Sequence, residues 1–461
     1  MAGAASVPHG AGVANEIVRC VEGKTQMRMD QTTGGQGSHK LRKMTGFSLV
    51  AVGAMVAAAC GSTSSTSSSS SSTAVAPTFP SAVTLTSLTP DLQSTMSQLK
   101  PLATYAAKGA SSLLIGVILP DTTSSVRWVQ YDQPYLTDAF ADAGFTSAEF
   151  NIQNAQGSDP TQIDDATADI NLGAKVLLVC PLDGPTGVAI AALAQAHNVT
   201  LIDYDRAIFP ATGKTYYVSF NNETVGMDIG NGFLSCLTSE NVSNPTVFEL
   251  NGGEDTDPNA ISFADGYNKV VWGTESKTVA TLPAKSTAGG ATLVGQNFAP
   301  GWSNTQGGTI FQEAYTANKA INASIEANDG LASAVITDLQ TDGVKAGTFP
   351  TTGQDATVQG MAYILEGWQC GSVYKPIYLE AQDAVIMATA LLAKITIPTD
   401  ILNGTTVDPA SSSITEPASL LSPVWVTKAN MEATVVKDQF DTASAICAIA
   451  GAALCTTDGI S

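Results

Sequence analysis

The chain has 461 residues and a formal net charge of −20, from 21 Lys and Arg against 41 Asp and Glu. Such an excess of acid repels nucleic acid and anionic lipid head groups. With three histidines (His9, His39 and His197) and no C-x-x-C pair, the sequence gives no pattern for a structural zinc, a multi-histidine metal site or a His-based triad, and no metal or cofactor is expected.

Residues 1–26 precede any sensible targeting signal. A basic patch (Lys40, Arg42, Lys43) then leads into an apolar run, Met44–Val56, followed by Ala57-Ala58-Ala59 and Cys60-Gly61. The run is shorter than the roughly 20 residues a membrane span needs. Small residues just before a cysteine fit a bacterial lipoprotein signal with its cleavage site. Cleavage would make Cys60 the new N-terminus and its site of lipid attachment, and more than one acyl chain gives stable anchoring. Residues 1–59 are thus expected to be removed. The remaining chain has 15 basic and 38 acidic side chains, net −23, and is expected to work as a monomer outside the cytoplasmic membrane. The serine tract Ser62–Thr73 reads as a flexible tether. Residues 60–110 form the tether and a mixed lead-in, with a short helix near Pro90–Gln98.

From Leu113 apolar runs of strand length alternate with segments of helical period. Strands are expected at Leu113–Leu119, Ser147–Gln153, Lys175–Cys180, Thr200–Tyr204 and Tyr216–Phe220. Helices are expected at Tyr131–Ala143, Pro160–Leu172, Pro185–His197 and Glu223–Leu237, with Gly144 and Gly173 as stops. A second series follows: strand Thr246–Asn251, helix Pro258–Val271, strand Thr292–Phe298, a long helix Thr305–Asn328, strand Ala332–Thr337, helix Leu339–Ala346 and a short strand to Thr351. Helix Ala356–Glu366, strand Gly371–Tyr374, helix Pro376–Leu392 and strand Pro423–Val426 complete it. Alternation with short connections implies α/β architecture, with parallel sheets covered on both faces. Five cysteines remain after Cys60. Cys180 reads as core, and Cys447 and Cys455 are expected to pair in an oxidising compartment.

Ligands of open α/β sheets bind beyond the carboxyl ends of the strands. Polar groups gather there: Asp121 with Arg127 and Trp128, Asp205 with Arg206, Asn221 with Asn222, Asp257 with Asn259, then Trp302, Thr337 with Asp338, Gln354 with Asp355, and Lys375. Carboxylates accept from sugar hydroxyls, cations donate to hydroxyl and ring oxygens, and an indole covers the C–H face of a pyranose. Asp338 and Asp355 also suit helix N-caps. Asp255-Thr256-Asp257-Pro258-Asn259 echoes the start of a calcium loop but lacks its later glycine and glutamate.

Several stretches carry a resemblance: Val126-Arg127-Trp128, Tyr204-Asp205-Arg206, Val218–Glu223, Gly353–Ala356, Val373–Pro376 and Leu420–Pro423. In this order and spacing the chain resembles the type I periplasmic sugar-binding proteins of ABC importers, and within them the xylose-binding branch. The resemblance implies two Rossmann-like lobes joined by hinge segments near 212–217, 371–376 and 404–422. Lobe 1 would comprise 111–214 and 376–403, and lobe 2 would comprise 215–375 and 418–461. It also implies ligand-binding roles for Arg127, Trp128, Asp205, Arg206, Asn221, Asn259, Trp302, Thr337, Asp355 and Lys375. Asn221 would replace an aspartate of the relatives, and Thr337 the asparagine of an Asn-Asp pair. The implied function is binding of a monosaccharide, xylose or a related aldose, for a membrane ABC permease, without enzymatic chemistry. A sugar sensor would share the same fold and pocket. A secreted hydrolase would need Asp205 and Asp355 as paired acids. A sugar-responsive repressor would need a basic DNA-binding segment where the serine tract stands.

Overall fold

A computed structural model describes residues 77–110, 112–210, 212–274, 287–288 and 290–461. The signal, Cys60 and the serine tract lie outside the described residues. No described helix is long and apolar enough to cross a membrane.

The lead-in is folded, with a helix inside the stretch Pro90–Gln98 where a short one was expected. Helices α1 (Gln93–Met96) and α2 (Lys100–Ala106) bury Met96, Leu99 and Leu102 against the first half of the protein. Gln382 fastens the preceding turn by donating to the Thr89 carbonyl at 2.8 Å.

The first half follows the expected alternation: β1 (Ile115–Leu119), α3 (Gln133–Ala143), β2 (Phe150–Asn154), α4 (Asp159–Leu172), β3 (Val176–Val179), α5 (Gly184–Ala196), β4 (Thr200–Tyr204) and β5 (Thr215–Phe220). Every residue of β1 and β3 is buried, because helices cover both faces of a parallel sheet. Helices α3 and α4 end at Gly144 and Gly173, whose φ values of 98° and 113° are open to glycine.

The second half holds α6 (Asn222–Ser239), β6 (Thr246–Gly252), α7 (Pro258–Trp272), β7 (Thr287–Ala288), β8 (Ala291–Ala299), α8 (Asn304–Ala317), β9 (Ala323–Glu326), α9 (Asp329–Thr341), β10 (Gly353–Gln354), α10 (Val358–Glu366) and β11 (Ser372–Tyr374). Helix α11 (Ile377–Leu392) and the hairpin β12 (Gly404–Asp408) and β13 (Ser411–Leu421) return to the first half. Strand β14 (Val424–Val426) and helices α12 (Ala443–Ala450) and α13 (Ala452–Asp458) belong to the second. The sheets run β12-β13-β5-β4-β3-β1-β2 in the first half, and β7-β8-β6-β9 and β10-β11-β14 in the second. Helices α6 and α7 touch through glycines. A Cβ at Gly226 would lie 2.0 Å from the Phe263 carbonyl oxygen, and one at Gly266 would lie 2.3 Å from that of Glu223.

Three expectations need correction. Residues 305–346 form helix, strand and helix in the expected order but with other bounds. Helix α8 stops at Ala317, β9 begins at Ala323, and the stretch read as strand 332–337 lies inside α9. Leu331, Val335 and Leu339 are buried at a spacing of four, a helical period, and Asn328 caps α9 by accepting from the Leu331 N–H at 2.9 Å. Nor does the first hinge lie at 212–217. Strand β5 pairs with β4 from Thr215 onward, so the first sheet runs to Phe220. Finally, residues 404–417 are a hairpin pairing onto that sheet, not a linker, since β13 runs in register with β5 from Ala418↔Tyr217 to Leu421↔Phe220. The chain crosses between halves after Phe220, at Lys375-Pro376 and at Ser422-Pro423. The first and last crossings are tied by the Asn221 N–H on the Leu421 carbonyl at 2.9 Å.

Cys447 and Cys455 are joined, and so are Cys236 and Cys370, linking α6 to the approach of β11. Cys180 is free and buried. The bridges close intervals of 134 and 8 residues. Chain-entropy arguments then give about 5 kcal/mol for the long loop and about 2.5 kcal/mol for the short one. Removing Cys236 and Cys370 together should cost roughly twice what removing Cys447 and Cys455 costs in guanidinium unfolding. Equal losses would refute the ordering.

Buried carboxyls set a second expectation. Burial raises Glu249 to about 7, Asp383 to about 7 and Glu326 to about 8. A raised folded pKa means that the folded state holds the proton more tightly. The associated stability is complete below the unfolded values near 4 and disappears as pH rises through 7 to 8. The melting temperature should therefore be higher at pH 5 than at pH 8.5, and the opposite order in a pH series of thermal melts would contradict this.

Candidate functional site

The loops after β1, β4, β6, β8, β9, β10 and β11 converge on one narrow cavity between the halves. After β1, Asp121 closes a tight turn by accepting from the Thr123 and Ser124 N–H groups at 2.7 and 2.6 Å. That turn delivers Arg127 and Trp128 into a π-helical turn, Trp128–Asp132. Arg127 is 3% exposed. Its Nε and Nη2 donate to Asp132 at 2.9 and 2.8 Å, Nη2 also to Glu380 at 2.8 Å, and Nη1 to Asp205 at 2.5 Å. The Trp128 ring lies 4.4 Å from the Arg127 guanidinium carbon and 5.5 Å from that of Arg206, within cation–π range.

Asp205 follows β4 with φ of 64°, a left-handed conformation unusual for a residue with a side chain. Its backbone is held from several sides. The N–H donates to Val218 O at 2.9 Å, and the carbonyl accepts from Tyr217 Oη and Asn259 Nδ2, each at 2.9 Å. Asp355 and Trp302 also have positive φ, 91° and 57°. Strained backbone of this kind persists where its surroundings over-determine it, and it gathers at ligand sites.

After β6, Asp257 caps α7, accepting from the Asn259 N–H at 2.9 Å, and its other oxygen accepts from Trp302 Nε1 at 2.8 Å. The residues that hinted at a calcium loop are thus a helix cap that orients an indole. Gly252 is the floor for that indole: a Cβ there would lie 1.8 Å from the ring. Asn222 donates to Asn259 Oδ1 at 2.8 Å and fixes its amide.

Besides Asn259 on the Asp205 carbonyl, further contacts join the halves and the crossing segment beside the cavity. Lys375 Nζ lies 3.7 Å from Asp205 Oδ1 and 3.6 Å from Asp355 Oδ1, and Ser125 Oγ donates to Asp355 Oδ2 at 3.2 Å. Burial pushes the Asp205 carboxyl up, but Arg127, Lys375 and Arg206 outweigh it and hold the group below the ordinary carboxylate range. Burial dominates at Glu380 and keeps that carboxyl well above its usual value despite Arg127. Arg127, Arg206 and Lys375 thus stand among the acidic side chains of Asp132, Asp205, Asp355 and Glu380, a set matched within the protein that suits an uncharged ligand. Gln354 donates to the Ala327 carbonyl at 3.2 Å, while its Oε1 is buried without a partner, leaving one acceptor for a ligand hydroxyl.

Of the ten residues expected to bind ligand, Arg127, Trp128, Asp205, Arg206, Asn259, Trp302, Asp355 and Lys375 line the cavity. Asn221 does not. It caps α6, accepting from the Thr224 N–H at 3.0 Å, and sits in the first chain crossing. Thr337 does not either. It is exposed on α9, where its hydroxyl donates to the Ser333 carbonyl at 2.8 Å. The Asn-Asp pair that ends a strand in this half is Asn328-Asp329, and Asn328 lines the cavity. Ser124, Ser125, Phe263 and Gln354 line it as well. Gln354 stood beside Asp355 at a strand end. Phe263 follows Asn259 by four on α7, a spacing that marks a shared helix face.

The sequence pattern described as a periplasmic binding protein domain matches residues 115–395. The D-xylose-binding periplasmic protein of Escherichia coli K12 is 30% identical over 340 residues, covering 74% of this chain and 94% of that protein. A multiple sugar-binding periplasmic protein of Azospirillum brasilense is 27% identical over 336 residues, covering 71% of this chain and 89% of that protein. Among solved structures, a carbohydrate transporter solute-binding protein from Chloroflexus aurantiacus in complex with D-glucose is similar, with a TM-score of 0.60 and 26% identity, over 73% of this chain and 98% of that one. Two α/β halves, three chain crossings and a cavity between strand ends agree with these likenesses, and the chain belongs to the periplasmic-binding-protein family, with the type I fold.

Proposed function

We propose that this protein is the extracytoplasmic solute-binding component of an ABC sugar importer, anchored by lipid at Cys60, and that it holds an aldose such as xylose between its halves. The observation that carries this reading is the cross-half arrangement of Lys375 between Asp205 and Asp355 beside an unpartnered Gln354 acceptor. A polyol satisfies such a set because each hydroxyl donates one bond and accepts others. Trp128 and Trp302 supply faces for the C–H patches of a sugar ring. The D-xylose, multiple-sugar and D-glucose ligands of the relatives support the same class. Hydrolysis fits less well, because an Asp205 held ionised by three cations accepts hydroxyl protons and does not supply one.

No bond is made or broken. Sugar bound to both halves stabilises the closed arrangement over the open one by its differential contacts, and a membrane partner reads the closed form. The chain crossings act as the hinge.

Asp355→Asn keeps the side-chain shape but removes the charge facing Lys375, and should weaken xylose binding by about tenfold to a hundredfold, or 1.5–3 kcal/mol for a hydrogen bond to a charged group. Unchanged affinity by titration calorimetry would remove Asp355 from the site. Asp205→Ala should also unfold the protein more readily, by about 3–5 kcal/mol, since it strands buried cations. An unaltered melting temperature for that variant would show the cluster to be dispensable. Cys60→Ser should release the protein from the membrane fraction, and a wild type already free of membranes would refute the anchor.

A further inference from the structure

The cleft continues beyond the buried cavity. Ser124, Ser125, Asn328 and Asp355 line the cavity and also the inner end of a groove of about 330 Å³. One wall of the groove belongs to the first half, with Thr123, Val126 and Gln130. The other belongs to the second half, with Asn304, Ser333 and Gln359. Asn304, Gly330 and Ser333 then also line a shallower trough between α8 and α9, and Thr337 lies there. The three spaces thus share walls in succession from the interior to the surface.

The chemistry of the groove is restricted. Among its described lining residues there is no Lys or Arg. Asp329 is occupied, accepting from the Thr357 N–H, Gln369 Nε2 and Ser372 Oγ at 2.8 Å each, and Asp355 faces Lys375. Apart from Gly330 and three apolar residues, Val358 among them, the rest carry hydroxyl or amide groups. Val126 and Ile449, 43% and 45% exposed, add apolar surface. Asn304 Oδ1 is buried without a partner, against Gly330, where a Cβ would come within 2.5 Å of it. A phosphate or carboxylate would find no cation here. A neutral group bearing hydroxyls would find donors, acceptors and an apolar edge.

We infer that the ligand is a short neutral oligosaccharide, with its terminal unit in the cavity and the next unit in the groove. This inference rests on the sugar-binding reading above and extends it from one ring to at least two. Titration calorimetry on the chain from Cys60 onward, using D-xylose, D-glucose, xylobiose, cellobiose and maltose, tests it. At least one disaccharide should bind about tenfold or more tightly than its own monosaccharide, the gain of one or two good contacts. Gln130→Trp and Gln359→Trp, on opposite walls, should each lower that affinity about tenfold and leave monosaccharide binding within about twofold, since neither residue lines the cavity. Disaccharides that bind no more tightly than their monosaccharides, or that ignore both tryptophans, would overturn the inference while leaving the sugar-binding reading intact. Binding of no sugar of either size would overturn both.

Discussion

The carboxylate of Asp205 is the point on which the two halves and the cavity depend. It takes a hydrogen bond from Arg127 and lies 3.7 Å from Lys375. Arg127 belongs to the first half and Lys375 to a crossing segment, so one side chain ties a strand end to the hinge. Buried charges are costly unless each is matched. Here the matching is distributed. Asp132 and Glu380 take the remaining donors of Arg127, and Tyr204 Oη donates to Asp132 at 2.7 Å. Arg127 is therefore largely spoken for by protein, and it acts on ligand by orienting Asp205 and by its charge. Arg206, Lys375 and Gln354 keep more of their bonding capacity for a guest.

Much of this arrangement was readable from residues. Strands such as β3 and β4 stand out as continuous apolar runs because both faces of a parallel sheet are buried. Glycine stops fixed the ends of α3 and α4. The rule that polar groups after strands converge named nine residues that line the cavity, Gln354 among them. It failed where the strand itself was misplaced. The segment 317–337 has no proline and no glycine except Gly330, and its alanines suit either element. Only packing distinguishes β9, which is paired with β6 and buried throughout, from a continuation of α8. The displacement moved the Asn-Asp pair nine residues along the chain, and the ligand-binding role expected of Thr337 went with it.

Asn221 failed for a different reason. The end of β5 was placed correctly, but an Asn before a helix can serve the helix instead of the cavity, and capping took its side chain. The hairpin β12–β13 was hidden by composition. Its Thr, Ser and Gly residues read as a loop, and its stability comes from pairing at the edge of a large sheet, which a local pattern does not reveal.

The folded lead-in has a mechanical consequence. Helices α1 and α2 are seated on α3 and α11, and both of those belong to the first half. A pull on the described lead-in is therefore borne by contacts within the first half and not by the chain crossings. The lead-in thereby extends the hydrophobic core of the first half and leaves the three chain crossings uncovered by it.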